Sequence, residues 1–389
     1  MSIAARRIQR VKQTTTPPPQ PSTTFGPDGT HWPASTPRTG HTNVVDVACS
    51  WSAISTAIGN VTSQQAAAGT LIRVAPGTLP GSGDGVTSGA TPMLQNVGSS
   101  SWSQNILVAP RDGWGTVSIA SGIRIHNVHG TTFARFNGST IIFTSCGDMS
   151  WAQSKMSLGI KTFADNDDVE HCNIYEMVML NSRADENDAC QYRAGTNHYI
   201  RNCTWEGCYI APLFRPTGSS AHLDTFQMFG NGWYRGLTFR DCLIFASNNC
   251  AVQGGGFFTN DPYLGQPFVT FDHSMLVSQA LAVQLRYSVP SGATGGGSQA
   301  INGSGESPTN GGSRTWYAYD SYILGSMHTT EYVTIQDSYT SYSGAVGGNQ
   351  ATNGAWVYDS SWGSKTPSQF DAMVGPEPDD TYLATIWAS

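Results

Sequence analysis

Seven short phrases of alternating apolar residues, each leading into a small residue, recur along the second half of the chain: VEHCNI, YIRNCTW, TFRDCLI, TFDHSML, AYDSYIL, TIQDSYT and VYDSSW. Their aligned small residues are Cys172, Cys203, Cys242, Ser274, Ser321, Ser338 and Ser360, with successive gaps of 31, 39, 32, 47, 17 and 22 residues. A constant strand phrase at an irregular period predicts a solenoid, in which each coil adds strands to the next and insertions leave at the turns. The alternation buries one face of each strand. A second series, DACQ, DTFQ, CAVQ and LAVQ, sets Gln191, Gln227, Gln253 and Gln284 at 19, 24, 11 and 10 residues beyond the first four anchors. Stacked coils bring such amides into a ladder.

The pattern changes at both ends. In CSWSAISTAIGN, Ser50 is placed to cap a helix whose Trp51, Ile54 and Ile58 share one face, with Gly59-Asn60 ending it. The run LIRVAPGTLPG then reads as a strand, Leu71 to Val74, closed by a Pro-Gly turn. A helix at that place caps an open sheet edge that would otherwise template aggregation. The expected organisation is an N-terminal arm and Pro-rich neck over 1–24, a linker over 25–44, a β-solenoid body over 45–365 and a C-terminal cap over 366–389. The Gly/Ser-rich stretch 289–313 is read as an unpacked insertion between coils.

Composition sharpens this into an all-β class. Of 389 residues only 12% are charged and 43 are Gly, while 39% are hydrophobic and 11% aromatic. Such a chain builds a core from short strands and turns rather than from helices rich in Glu and Lys. The net charge of −7 speaks against a general nucleic-acid binder. None of the eight cysteines forms C-x-x-C, which removes the zinc-ribbon and dithiol readings; most of them read as small core residues. No apolar run is long enough to span a membrane. The start, MSIAARRIQRVKQ, has a basic region without an apolar segment, so no secretory signal is expected. In the arm, Ala4, Ile8 and Val11 can line one helix face among Arg6, Arg7, Arg10 and Lys12, as a docking element would.

The candidate chemistry lies in a polar phrase written twice. DENDACQYR (185–193) and SAHLDTFQMFG (220–230) place Asp188 and Asp224, Gln191 and Gln227, and Glu186 and His222 in equivalent positions 36 residues apart. On adjacent coils the two aspartates would stack at about the 4.8 Å strand spacing. Ionised carboxylates at that distance repel, so they must share a proton, bind a cation or act as a pair on a substrate. Turn-capping by each Asp on its own backbone is the alternative. The catalytic candidates are Asp188, Asp224, Glu186 and His222. Gln191 and Gln227 are hydrogen-bonders, Arg193 and Arg235 receive acidic groups, and Trp233, Tyr234 and Trp205 offer flat platforms to sugar rings. A pair near 5 Å suits a retaining glycosidase, and a structural cation beside it is the one cofactor in view. The motifs of serine esterases, zincins and P-loop enzymes are absent.

Trp51–Ile58 followed by Leu71–Gly77, with Asn127–Phe133 and His222–Gln227 further on, resembles the pectate-lyase-like right-handed parallel β-helix proteins over about residues 45 to 365. Within that group the basic arm and Pro-rich neck make the chain similar to bacteriophage tailspikes and minor tail proteins. The resemblance implies a virion protein assembled in the host cytoplasm, a homotrimer, docking to other tail proteins through residues 1–24, and binding, with or without cleavage, of a host surface polysaccharide. A stand-alone polysaccharide lyase or hydrolase and a purely structural virion β-helix are the competing classes.

Overall fold

The protein is described here from a computed structural model, over residues 25–83, 86–180, 182–254, 268–303, 315–329, 332–341 and 356–388. The arm 1–24, and with it the docking element, lies outside these residues, as does 304–313 of the expected insertion.

The body is a parallel β-helix, and its pairing shows how the coils stack. One inward column runs Val45, Ile72, Val108, Phe133, Trp151, Ile174, Trp205, Phe239, Phe271 and Ala318, each residue the parallel register partner of the next. Rings within it stack face to face, as Phe133 does on Trp151 at 5.4 Å and Phe239 on Phe271 at 5.5 Å. The helix α1, Trp51–Gly59, starts as expected: the Ser50 hydroxyl accepts the Ala53 N–H, and Trp51, Ile54 and Ile58 are buried. It packs on the strands Asn43–Val47, Thr70–Val74 and Leu94–Gly98, is followed by the short helix α2, Ser63–Ala67, and closes the first coil.

Sharp corners separate the strands, and there the chain departs from the expected ladder. Two columns of residues take left-handed backbone conformation. One includes Asp148, His171 and Asn202, the other Gln153, Glu176, Gly207, Asp241, His273, Asp320 and Asp337, with φ from 43° to 63°. Asn, Asp, His and Gly tolerate this region best. Most corners are followed by a small buried residue, Met149 and Met177 being the larger exceptions, and the sequence anchors therefore merge two corners with one signature. Cys172 and Cys203 stack at the first, whereas Cys242, Ser274, Ser321 and Ser338 stack at the second, below Cys208. Ser360 belongs to neither, because Trp356 pairs with Ser338 and Ser360 opens a 3₁₀ turn. All eight cysteines are free thiols.

The termini and the insertion also differ from expectation. Residues 25–42 are a strap rather than a linker. Phe25 stacks on His273 at 4.8 Å, the Gly26 N–H donates to the Asp241 carbonyl, and the Thr36 hydroxyl meets that of Thr132 at 2.5 Å before the chain enters its first strand. In the stretch 289–313, Gln299–Gly303 is a strand on Cys250–Gly254, because Ala300 and Ile301 have a core to enter. The tail lies along the side of the coils. The sheet whose outward column is Val178, Tyr209, Leu243, Met275 and Tyr322 is apolar on both faces, as buried parallel sheets are. Helices α3 (Gln279–Leu285), α4 (Pro367–Val374) and α5 (Asp380–Ile386) cover it with Leu285, Phe370, Val374, Leu383 and Trp387.

The second corner carries a hydroxyl relay. The backbone N–H groups of Cys242, Ser274 and Ser321 donate to the hydroxyls of Ser274, Ser321 and Ser338 one coil on, at 3.0–3.1 Å. Ser321→Ala leaves the buried Ser274 N–H without an acceptor and is expected to lower stability by about 1–3 kcal/mol. Ser321→Cys is expected to lose less. Denaturant melts of both variants check this.

Candidate functional site

The repeated phrase does come together, though in a form the pattern did not show. Gln191 and Gln227 are register partners, and Gln227 pairs in turn with Gln253 and Gln253 with Asn302. The amide ladder therefore exists, but Gln284 lies in α3 and Asn302 holds its place. Each phrase closes on itself at i and i+3: Gln191 Nε2 donates to Asp188 Oδ2 at 2.9 Å, and Gln227 Nε2 to Asp224 Oδ2 at 3.4 Å. The coils join through Asp188 Oδ1, which accepts the backbone N–H of Asp224 at 2.7 Å.

The two aspartates have different surroundings. Asp224 is fully buried, and its Oδ1 accepts from Asn249 Nδ2 at 2.8 Å and from the Cys250 thiol at 3.0 Å. Burial, then the neighbouring charge of Asp188, pushes its carboxyl up to about 7. Asp188 is also raised by burial, against the Asp224 N–H and the Gln191 amide that favour its charge, but it opens onto a cleft. The retaining-glycosidase pair is thereby corrected: a single carboxylate of the two faces solvent, because Asp224 stands beneath it as a ladder residue. Each oxygen of the two carboxylates accepts at least one protein donor. Among the described residues, Asp28, His31 and Glu176 are the group spaced like metal ligands, and they are paired with one another.

The cleft, of about 260 Å³, lies on the outer face of another sheet of the helix. Its floor is a two-by-two array. Lys161 and Phe163 alternate outward on the strand Ile160–Ala164, and Gln191 and Arg193 are their register partners on Cys190–Ala194. These positions lie about 4.8 Å apart across strands and roughly 6.6 Å along them, close to the footprint of a sugar ring. Asp188 and Asn187 form one wall and Thr87 and Ser88 the other. Arg193 lies over Phe163 at 4.1 Å, pairs with Asp165 through two nitrogens and donates to the Ser88 hydroxyl at 2.7 Å. Burial lowers the Lys161 ammonium while the charge of Asp188 resists it. Lys161 had no sequence signal of its own; the strand KTFA becomes informative only when set beside QYRA. A second cleft of about 380 Å³, lined by Ser118, Asn137, Ser139, Ser157 and Arg183, adjoins through Leu158.

The remaining candidates separate from the cleft. Glu186 and His222 are exposed on turns outside its lining. Gln227 lies one coil further along the ladder, and Trp233 is half-buried beside Tyr199 on the next strands. Tyr234 is wholly buried and its hydroxyl accepts the Ala194 N–H at 2.6 Å, closing a corner rather than meeting a sugar. Arg235 is likewise inside, donating to the Tyr234 carbonyl at 3.2 Å with its guanidinium 5.9 Å from the Phe268 ring. Trp205 is a core residue bonded to the Tyr192 hydroxyl. Inward alternation and the packing of the coil corners take these three from the surface.

An acid raised by burial stabilises the fold below its ordinary pKa and loses that contribution as pH rises through the folded value. Asp224 therefore weakens the protein between about pH 4 and pH 7. Asp224→Asn is expected to flatten this dependence and to gain on the order of 1–3 kcal/mol at pH 8 relative to its effect at pH 4. Thermal melts across that range measure it.

No family model and no curated protein matches the chain. Among solved structures it is similar to pectate lyase Pel9A (14% identity, 82% of this chain and 75% of that one, TM-score 0.38). It is similar also to an alginate lyase from Paenibacillus sp. str. FPU-7 (10%, 82% and 98%, 0.39) and to ORF18 of Geobacillus virus E2 (10%, 80% and 61%, 0.26).

Proposed function

We propose that this β-helix binds an acidic polysaccharide along the cleft floored by Lys161, Gln191 and Arg193, and cleaves it by β-elimination. One observation carries the reading: a burial-depressed lysine, a cation stacked on an aromatic ring and a carboxylate with a raised pKa line one sugar-sized cleft. A uronate's carboxylate needs a cation to disperse the charge that develops when its C5 proton leaves, and Arg193 meets that need. Lys161, pushed toward its neutral amine, takes the proton. The electron pair of the C5–H bond forms the C4–C5 double bond, the C4–O bond breaks, and the departing sugar oxygen takes up a proton from solvent water. Double displacement through two carboxylates lacks its second partner here, since Asp224 is sealed in the ladder.

In this reading the protein acts on a phage particle, with residues 1–24 as the docking arm to other tail proteins and a homotrimer as the assembly. The basic, Pro-linked arm supports the docking role. One flat sheet face is already closed by α3, α4 and α5, so a trimer must use another.

Incubation with acidic and neutral bacterial polysaccharides, read by the ultraviolet absorbance of the unsaturated chain end, tests the reaction. Lys161→Met is expected to abolish cleavage and keep binding. Arg193→Ala is expected to weaken binding on the order of tenfold and to flatten its salt dependence, as loss of a charged hydrogen bond would. Equal affinity for neutral and acidic chains, or cleavage intact in Lys161→Met, would overturn the assignment.

A further inference from the structure

The second corner column presents a polar side chain coil after coil except at Gly207, which stands between Glu176 and Asp241 with φ 63°. The space is not empty. A Cβ at Gly207 would lie 2.3 Å from Nδ1 of His31, which enters from the strap. The ring spans the gap: Nε2 is 2.9 Å from Asp241 Oδ2, and Nδ1 is 3.3 Å from Glu176 Oε1 and 3.1 Å from Asp28 Oδ1. Both ring nitrogens thus face carboxylate oxygens, which a doubly protonated imidazolium satisfies and a neutral ring, with one lone pair, does not. Glu176 is fully buried, and it also accepts the His31 N–H at 3.0 Å, Gln153 Nε2 at 3.2 Å and, just beyond α5, the Trp387 indole N–H at 2.6 Å.

We infer that His31 is a charge-keyed clasp: its imidazolium completes the corner column at Gly207, and through Glu176 it locks the N-terminal strap and the C-terminal helix α5 to the body, so that both come free together when the charge is lost. The two segments also meet directly, where the Tyr382 hydroxyl donates to the Pro27 carbonyl at 3.3 Å. The body does not need the clasp for its own pairing, since its ladders run on both sides of the slot, Glu206 with Arg240 before it and Tyr209 with Leu243 after it. The clasp sits where the strap leads back to the arm, so it sets how firmly whatever the arm holds is joined to the β-helix.

The groups facing His31 fix the pH window. They are Asp28 from the strap, Glu176 and Asp241 from the corner and Glu206 from the adjoining strand, with, behind them, His273 bonded to Asp241 and Tyr382 of α5 near Asp28 and Glu176. Burial alone would lower the His31 pKa, but the hydrogen bonds to Asp241 and Glu176 and the charges of Asp28 and Glu176 override it and push it up to about 10. A raised base stabilises fully below its ordinary value of 6.5 and loses that contribution as pH rises through about 10. Asp241 is held below the usual carboxylate range by His273 and His31 against its own burial, so the clasp survives mild acid.

Hydrogen–deuterium exchange of the full chain, corrected for intrinsic rates, tests the inference. At pH 7, His31→Gln and Gly207→Asn are expected to speed exchange of 25–42 and 380–388 together by at least tenfold, with Trp205 and Phe239 as protected as in the wild type. Asn tolerates the left-handed corner and fills the slot with its own side chain. The wild type is expected to behave like the variants at pH 10.5. Release of the strap with α5 still protected would overturn the coupling. Equal protection of the wild type at both pH values would overturn the charge key, and a body that unfolds in His31→Gln would overturn the clasp as a separable device.

Discussion

Parallel pairing in register is the constraint on which the rest of this molecule depends. Each residue of a coil is held about 4.8 Å from its counterpart in the next, so side chains meet their own kind in columns. Apolar columns become the core with little further demand. Polar columns must resolve their own repulsions, and the answers vary along the helix: hydroxyls relay backbone N–H groups at the second corner, amides line up from Gln191 to Asn302, and the acid column at Asp241 is interleaved with histidines.

The Asp188–Asp224 step shows the constraint creating chemistry. Two carboxylates cannot both stay ionised and dry at this spacing. One is buried with its pKa raised to about 7, and the other is turned toward the cleft while its Oδ1 holds the next coil by a backbone N–H. The arrangement leaves a single polarised carboxylate beside Lys161 and Arg193. The ladder thus explains both the repeated phrase and the asymmetry of its two copies.

A solenoid made only of coils would leave an apolar outer sheet exposed, and the chain closes it with its own ends. Leu285, Phe370, Leu383 and Trp387 cover the column from Val178 to Tyr322, while the strap runs beside the second corner. The ends converge on Glu176, a buried carboxylate whose oxygens accept from His31, Gln153 and Trp387. A fold built mainly from contacts between neighbouring coils acquires there two bonds that span 145 and 211 residues.

Alternation, turn residues and the recurring small anchors determined the parallel β-helix from the sequence, and the capping signature of Ser50 with Trp51, Ile54 and Ile58 placed the first helix, because these are local signals of period and backbone conformation. The amide ladder at Gln191 and Gln227 was legible for the same reason. Which corner an anchor occupies was not, since at both corners a left-handed residue can be followed by a small one. Nor did the pattern show that Tyr234 and Arg235 are enclosed, that Asp224 lies beneath Asp188, that Lys161 shares a cleft with Arg193, or that His31 fills the slot at Gly207. Those facts depend on which residues stand one coil apart, at separations from 17 to 47 residues that the insertions vary. Sequence spacing carries period and conformation; only the stacked coils decide which side chains meet.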